Sequence, residues 1–261
     1  MKVYHIFLMT VISTMLFVST GYSGSIRIIT EPTISMDKAG RPITAVAEMT
    51  RAFMKKLNIP GEILVYPWKR GYFMALNEPE IALFPTTRTE TRENLFKWVG
   101  PILQVSWILY ANKNSTLKLT RLEDAMKVDR ICGYLGDAKF VFLQKKGFKN
   151  LISRYSTSEC IDLLTKGKVD LWISTSNIES PETVKKGNFK LSDIKQSYLI
   201  NTKYLYYALS KAIPDEVVEH WQNTLNTMKT DGTLRKYYKN KHPESIIQEI
   251  SKTEAPIFPW K

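Results

Sequence analysis

The feature that most constrains the fold of this chain is an alternation of strand-like and helix-like segments. Short runs rich in β-branched and aromatic residues predict strands, and longer runs with apolar residues at helical spacing predict helices. A strand–helix–strand–helix–strand order predicts parallel strands in one sheet with helices on its faces. The first such series has predicted strands at Ile26–Thr30, Glu62–Tyr66 and Ile81–Phe84, and predicted helices at Ala45–Leu57 and Trp68–Leu76.

A second series with the same order follows later in the chain. Its predicted strands are Arg130–Tyr134, Leu151–Tyr155 and Val169–Ser174, and its predicted helices are Lys139–Lys146 and Thr157–Lys166. Apolar strands at Gln104–Ala111 and Tyr204–Leu209 stand on either side of this series, and a long helix is predicted at Pro214–Thr230. Two α/β halves joined by strands indicate a two-lobed protein with a cleft. In open α/β sheets, ligands bind beyond the carboxyl ends of the strands.

The first residues have the pattern of a secretory signal peptide. Lys2 gives a positive start, Ile6–Val18 is largely apolar, and Gly21 and Ser23 supply small residues before a cut. This stretch is short and weakly flanked for a stable membrane span, although a membrane anchor is the alternative. We therefore expect residues 1–23 to be removed and the mature protein to be periplasmic. No cysteine follows the predicted cut, which disfavours a lipoprotein.

Charge and cysteine usage exclude several classes of function. The formal net charge is +12, but Lys and Arg are scattered rather than clustered, and export argues against nucleic acid as a partner. Cys132 and Cys160 are the only cysteines, and in an oxidising compartment such a pair predicts a disulfide. The three histidines form no cluster in the sequence. We therefore expect no metal site and no cofactor.

The stretch FPTTRTETR, residues 84–92, places two arginines directly after a predicted buried strand. Cations are usually found in the last turn of a helix, where the helix dipole favours them. Arg88 and Arg92 instead follow a strand and precede a predicted short helix. Because this position is the carboxyl end of a parallel strand, it is a candidate for binding an anion.

Six stretches of the sequence together carry a resemblance to a known family. In order, they are RIITEPT, PWKRGYFMAL, FPTTRTETRENLFKWVGPI, GYLGDAKFVFLQKKGF, LLTKGKVDLWI and MKTDGTLRKYYK. They resemble the periplasmic solute-binding proteins of polar amino acid ABC transporters, bacterial extracellular solute-binding protein family 3. The resemblance implies an α/β, two-lobed periplasmic-binding-protein fold, in which each lobe is a parallel-type sheet flanked by helices and a two-strand hinge joins the lobes. Lobe 1 would comprise residues 24–103 and 210–261, and lobe 2 residues 104–209.

The resemblance also assigns roles to the residues around Arg88 and Arg92. The family's T-x-x-R pattern corresponds to Thr89–Arg92, so Arg92 would pair with the α-carboxylate of a ligand. A guanidinium can donate two parallel hydrogen bonds to a carboxylate, which agrees with this role. Thr87 would be a hydroxyl-bearing ligand contact, whereas Arg88 stands at a usually apolar position and its role is open. The alternative for Arg92 is a surface ion pair with Glu90 or Glu93.

Several positions depart from the family pattern on the side that would hold an α-amino group. The acid expected after the G-x-x-D strand is Thr175 here, and the aromatic residue expected after the first strand is Ile34. Glu31 and Asp137 stand at polar positions and are candidates for a replacement anion. Trp68 is expected at the mouth of the cleft, with core packing as its alternative.

These residues predict a monomeric binding protein that closes on a small carboxylate-bearing ligand, such as an amino acid or a relative. It would deliver this ligand to an ABC importer, with its membrane permease, or to a sensor. The alternative is a periplasmic enzyme with the same fold, such as a dehydratase acting on a cyclic carboxylate. Glu31 and Asp137 would then be the candidate acids for proton transfer.

Overall fold

The computed structural model describes residues 25–32, 36–176 and 190–254. The predicted signal peptide and Ile34 lie outside these ranges. The described residues form one eight-stranded sheet with the strand order β2-β1-β3-β8-β4-β7-β5-β6, and helices flank it. Within the same ranges, none of the helices has the length and the apolar content that crossing a membrane requires.

The first three strands form one end of this sheet. Strand β1 (Arg27–Thr30) lies between β2 (Leu64–Val65) and β3 (Ile81–Thr87) and pairs with both of them in parallel. The helices of this part are α1 (Ala45–Lys56), α2 (Trp68–Asn77) and the short α3 (Glu90–Glu93). Thr44 begins α1 because its side-chain oxygen accepts a hydrogen bond from the backbone N–H of Ala47.

The second predicted series forms the other end of the sheet. Strand β5 (Ile131–Tyr134) lies between β6 (Leu151–Arg154) and β7 (Leu171–Thr175), and pairs with both in parallel. Helices α4 (Ala138–Lys145) and α5 (Thr157–Thr165) connect these strands. Ser156 caps α5 through a hydrogen bond from the backbone N–H of Glu159, as the sequence predicts.

A disulfide between Cys132 and Cys160 confirms the predicted pairing. It joins the middle of β5 to the first turns of α5, and both cysteines are fully buried. The bond therefore fixes a helix against the sheet inside the hydrophobic core of this part of the chain.

Two long antiparallel strands join the two ends of the sheet. They are β4 (Lys97–Asn112) and β8 (Ile194–Leu209), with sixteen residues each. Both are longer than the sequence predicts, since the predicted strands began only at Gln104 and Tyr204. Gly100 lies where the ring of Tyr206 packs against the backbone, 2.4 Å from the position that a Cβ atom would take. A residue with a side chain would displace that ring, so glycine is required for the two strands to approach here.

The remaining helices pack against the first end of the sheet. They are α6 (Asp215–Thr230), α7 (Thr233–Tyr238) and α8 (Glu244–Ile250). Buried residues of all three join a core that includes Phe53 of α1 and Val99 of β4. A separate core gathers Ile108, Tyr110 and Trp172 around the disulfide. The fold is therefore α/β with two lobes joined by two strands, and the lobe boundaries at residues 103/104 and 209/210 stay a prediction.

Candidate functional site

The candidate site lies where the carboxyl ends of strands from both lobes face each other. On the lobe 1 side, β1 ends before Glu31 and β3 ends at Thr87. On the lobe 2 side, β5 ends at Tyr134. Tyr134 packs against the apolar cluster of lobe 1 that contains Trp68. The two lobes are thus in contact across the cleft.

Helix α4 of lobe 2 adds to this contact. Its residues Ala138 and Phe142 pack against a cluster of buried residues that continues through β4 and β8, and Phe142 contacts the ring of Trp107 in β4. In the loop before the helix, Gly136 lies beside the side chain of Lys69, which belongs to α2 of lobe 1. The start of α4 therefore forms the lobe 2 wall of the cleft.

Arg92 is a buried cation at the lobe 1 wall. It lies in α3, only 8% of its surface is exposed, and its Nη1 donates to the carbonyl oxygen of Thr87 at 3.3 Å. Its guanidinium carbon lies 5.2 Å from the centre of the Trp68 ring and 5.1 Å from that of the Tyr72 ring. Among the described residues, no carboxylate lies within ion-pair distance of Arg92. Among the described residues, Arg92 therefore does not form the alternative surface ion pair with Glu90 or Glu93.

Arg88 is held differently. Its Nε and Nη2 donate to the two carboxylate oxygens of Glu93 at 2.7 and 2.6 Å. The same guanidinium lies over the rings of Trp98 and Tyr206, at 5.7 and 5.3 Å from their centres. The two arginines of FPTTRTETR therefore have separate surroundings, because Arg88 joins a cluster of lobe 1 side chains while Arg92 faces aromatic rings at the cleft.

Glu31 brings a carboxylate to the same cleft. It remains partly accessible to water, but protein surrounds it closely, and this loss of bulk solvent raises the pKa of the carboxyl to about 7. The carboxylate of Asp137 raises the pKa of Glu31 further, whereas Lys139 and Arg92 act in the opposite direction. Glu31, Arg92, Asp137 and Lys139 thus form one group of interacting charges contributed by both lobes.

Asp137 and Lys139 hold each other at the lobe 2 wall. Asp137 is the N-cap of α4, where Oδ1 accepts from the backbone N–H of Lys139 at 2.9 Å. Its Oδ2 accepts from Nζ of Lys139 at 2.6 Å. This arrangement leaves the pair nearly neutral and fixes both charges at the start of the helix.

Thr87 and Thr175 lie at the ends of strands but have different surroundings. Thr87 meets Arg92 through its backbone oxygen. Thr175 ends β7 opposite Trp107 of β4, and its carbonyl oxygen accepts from the Tyr110 hydroxyl at 3.2 Å. Among the described residues, no contact links Thr175 to the charges around Glu31.

Three residues near the site were not predicted from the sequence. Tyr72 lies one helical turn after Trp68, and this spacing could have revealed a shared aromatic face. Lys139 follows the N-cap position Asp137 closely enough to be recognised as its partner. Tyr134 had no such signal, because its partner Trp68 belongs to the other lobe.

Among the described residues, no group of three or more His, Cys, Asp or Glu side chains is arranged to hold a metal ion.

Comparisons with known proteins agree on the fold. No protein-family model and no curated protein sequence matches the chain. A histidine kinase sensor domain with similarity to periplasmic binding proteins superposes with a TM-score of 0.71 at 16% identity, over 81% of this chain and 93% of that one. A proposed binding component of an ABC transporter from Wolinella succinogenes, complexed with lysine, gives 0.71 at 19% identity, over 87% and 99%.

An ancestral amino acid-binding protein, described as a precursor of cyclohexadienyl dehydratase, is also similar. Its TM-score is 0.69 at 18% identity, over 84% of this chain and 95% of that one. These structures span nearly their whole length in the superpositions, so the likeness covers both lobes. The chain has the two-lobed α/β fold of the periplasmic solute-binding proteins.

Proposed function

We propose that this chain is a binding protein whose lobes close on a small ligand that carries a carboxylate. The observation that carries the proposal is the environment of Arg92, a cation that is 8% exposed and has no carboxylate partner among the described residues. A buried charge is stable only when it is paired or well hydrogen-bonded. A ligand carboxylate would supply that partner through two parallel hydrogen bonds.

The acidic residues of the cleft suit a ligand that also carries an amino group. The charge of Asp137 in lobe 2 acts on Glu31 in lobe 1, so carboxylates of both lobes would stabilise an amino group held between them. This supports an amino acid or a relative as the ligand, with the amino group held at a different position from the family pattern. Proteins of the same fold have been solved with lysine, glutamine and arginine. Trp68 and Tyr72 would then cover the ligand beside Arg92.

The N-terminal sequence supports a biological setting for this function. The pattern of residues 1–23 supports export to the periplasm, where a monomer would deliver its ligand to an ABC importer or present it to a sensor. Structures of both kinds are among the similar folds.

Ligand identification and calorimetry test the binding function. The native protein is purified without added ligand and denatured, and mass spectrometry identifies small molecules released from it. Calorimetry with the identified molecule then compares the wild type with variants. Arg92→Ala should weaken binding by roughly 2–5 kcal/mol, as expected when a buried ion pair loses one partner. Arg92→Lys should also weaken it, because an ammonium cannot reproduce the planar fork.

Arg88→Ala is the neighbouring control, and because the pair of Arg88 with Glu93 serves the fold, circular dichroism must first show that this variant is folded under the conditions of the calorimetry. It removes a neighbouring guanidinium whose fork is directed at Glu93, so ligand affinity should fall distinctly less than in Arg92→Ala. Unchanged affinity in Arg92→Ala together with a large loss in Arg88→Ala would contradict the assignment.

A second candidate is an enzyme that removes water from a cyclic carboxylate. It is favoured by Glu31, because an acid whose pKa is raised to about 7 can both donate and accept a proton near neutral pH. The test is incubation with cyclic carboxylates that carry a hydroxyl group, followed by mass spectrometry for loss of water. Turnover by the wild type that disappears in Glu31→Gln would support the enzyme, and binding without turnover would support the binding protein.

A further inference from the structure

A cavity of about 400 Å³ lies on lobe 1, outside the cleft. Three segments of the chain form its walls: the loop that contains Arg41, the second half of α1, and residues 59–63 before β2. Because residues 59–63 lead into β2, they lie at its amino end, whereas Arg92 and the candidate site lie at the carboxyl ends of the parallel strands. The cavity is therefore separate from the candidate site.

Apolar side chains form part of the cavity wall. Met54 and Ile63 are only 5% and 7% exposed and belong to the hydrophobic core of lobe 1, and Ile59 packs against the same core. These side chains are held in place by the core, so the wall that they form is preformed. Such a wall suits the apolar body of a small ligand.

The charged residues of the cavity leave an excess of positive charge. Arg41 is paired, because its Nε donates to Oδ2 of Asp37 at 2.7 Å. Arg51 and Lys55 also line the cavity, and among the described residues no carboxylate lies within ion-pair distance of either. Glu62 is the acid that lines the cavity in this part of the chain. Three cations thus stand against the carboxylates of Asp37 and Glu62, and one positive charge is not balanced.

Arg51 and Lys55 are the source of this excess. They lie one turn apart on α1, and like charges at this spacing destabilise a helix. Lys55 is in the last turn, where the helix dipole favours a cation, but Arg51 lies a turn earlier, so the dipole does not account for its charge. An anion bound between the two side chains would remove their repulsion.

The guanidinium of Arg51 is held in position for such an anion. Its Nη2 donates to the carbonyl oxygen of Pro42 at 2.6 Å, which fixes the half-buried side chain between α1 and the loop. Among the described residues, this is the one hydrogen bond of that side chain. A guanidinium has five N–H donors, so others are left to bind a ligand.

We propose that this cavity binds a small organic carboxylate, with the anionic group on Arg51 and Lys55 and the apolar body on the buried side chains behind them. A carboxylate accepts two parallel hydrogen bonds from a guanidinium. Its single negative charge matches the single charge that the cavity leaves unbalanced. The site is additional to the cleft and does not depend on the function proposed for Arg92.

NMR titration of the isotope-labelled mature protein with hexanoate tests the proposal. Hexanoate should shift the backbone amide signals of residues 59–63 and of α1 around Arg51, and the shifts should saturate. Acetate, which has the same charge without the chain, should bind at least about tenfold more weakly, the factor expected when two methylenes are buried. Hexylamine, which carries the opposite charge on the chain, should not cause these shifts.

Variants of α1 identify the residues that bind the anion. Arg51→Gln should weaken hexanoate binding about tenfold, as expected when a charged donor is lost. Lys55→Gln should weaken it as well, and it removes no side-chain hydrogen bond described in the structure, so it serves as the test if Arg51→Gln does not fold. Lys56→Gln is the matched control, because this lysine pairs with Asp231 at 3.1 Å and does not line the cavity. Circular dichroism shows whether each variant is folded.

The cleft is a second place where a carboxylate could bind, so the titration is repeated with Arg92→Ala. The shifts around the cavity should remain in this variant. Shifts confined to the cleft, or shifts at the cavity that disappear in Arg92→Ala, would overturn the cavity site and would support the function proposed for Arg92. Equal affinities for hexanoate and acetate, or an unchanged affinity in Lys55→Gln and in folded Arg51→Gln, would also overturn it.

Discussion

Arg88→Ala should lower the free energy of unfolding by about 2–4 kcal/mol, although Arg88 lies beside the proposed ligand site. The side chains of Arg88 and Glu93 are only 13% and 18% exposed, and two hydrogen bonds of 2.7 and 2.6 Å join them. Loss of one partner from a fully buried pair costs about 3–5 kcal/mol. Partial exposure reduces this figure, because solvent screens the charge that is left.

The aromatic neighbours add to the loss. Arg88 lies over Trp98 and Tyr206, and such cation–π contacts contribute roughly 0.5–2 kcal/mol when shielded from water. The variant leaves the Glu93 carboxylate beside these rings without its bidentate donor. The range of about 2–4 kcal/mol combines the reduced pair energy with these contacts.

Urea unfolding followed by circular dichroism at pH 7 measures the loss. Lys166→Ala is the control: this lysine pairs with Asp162 at 2.8 Å, but its side chain is 63% exposed, so the change should cost only about 0.3–0.5 kcal/mol. A double-mutant cycle with Glu93→Ala isolates the pair. A loss below about 1 kcal/mol in Arg88→Ala would refute the reasoning that Arg88 serves the fold.

Three further predictions concern other parts of the chain. Replacing both Cys132 and Cys160 by alanine should lower the free energy of unfolding by about 3 kcal/mol, and thiol titration of the native, non-reduced protein should detect no free thiol. Burial lowers the pKa of Lys229 to about 8, so unfolding experiments should show a stability that rises with pH between about 8 and the ordinary lysine value. Lys229→Met should raise stability at pH 7 by about 1–2 kcal/mol, because it removes a buried charge but also the hydrogen bond to the Lys252 carbonyl. N-terminal sequencing of the exported protein should begin near Gly24, and material that begins at Met1 would refute the predicted cut.

The sequence predicted both α/β series but not the full length of the connecting strands. In β4, Pro101 interrupts the strand pattern, and the structure continues the strand back to Lys97 because β8 pairs with it there. In β8, the residues Ile194–Lys203 are mostly polar and partly exposed, so their strand conformation comes from pairing with β4 rather than from their own pattern. Long-range pairing of this kind leaves no local signal.

The candidate site shows the same limit. Arg92 was predicted from a motif, and its place beside a strand end is a local property of the sequence. In the structure, Arg88 pairs with Glu93 and lies over the rings of Trp98 and Tyr206. Tyr206 lies more than a hundred positions away in the sequence. The raised pKa of Glu31 likewise depends on Asp137 from the other lobe. Neither environment can be derived in full from residues near in sequence, because Tyr206 and Asp137 come from distant parts of the chain.

The two long strands also bear on how the molecule unfolds. Each of them lies in the centre of the single sheet, and each contributes residues to the hydrophobic cores of both lobes. Unfolding of one lobe would therefore remove hydrogen bonds and side-chain packing from β4 and β8, and both strands also form part of the core of the other lobe. We expect heat to unfold both cores in one cooperative transition, with equal calorimetric and van't Hoff enthalpies. A ligand held in the cleft would then raise the melting temperature of the whole chain, including α5 and the disulfide of lobe 2.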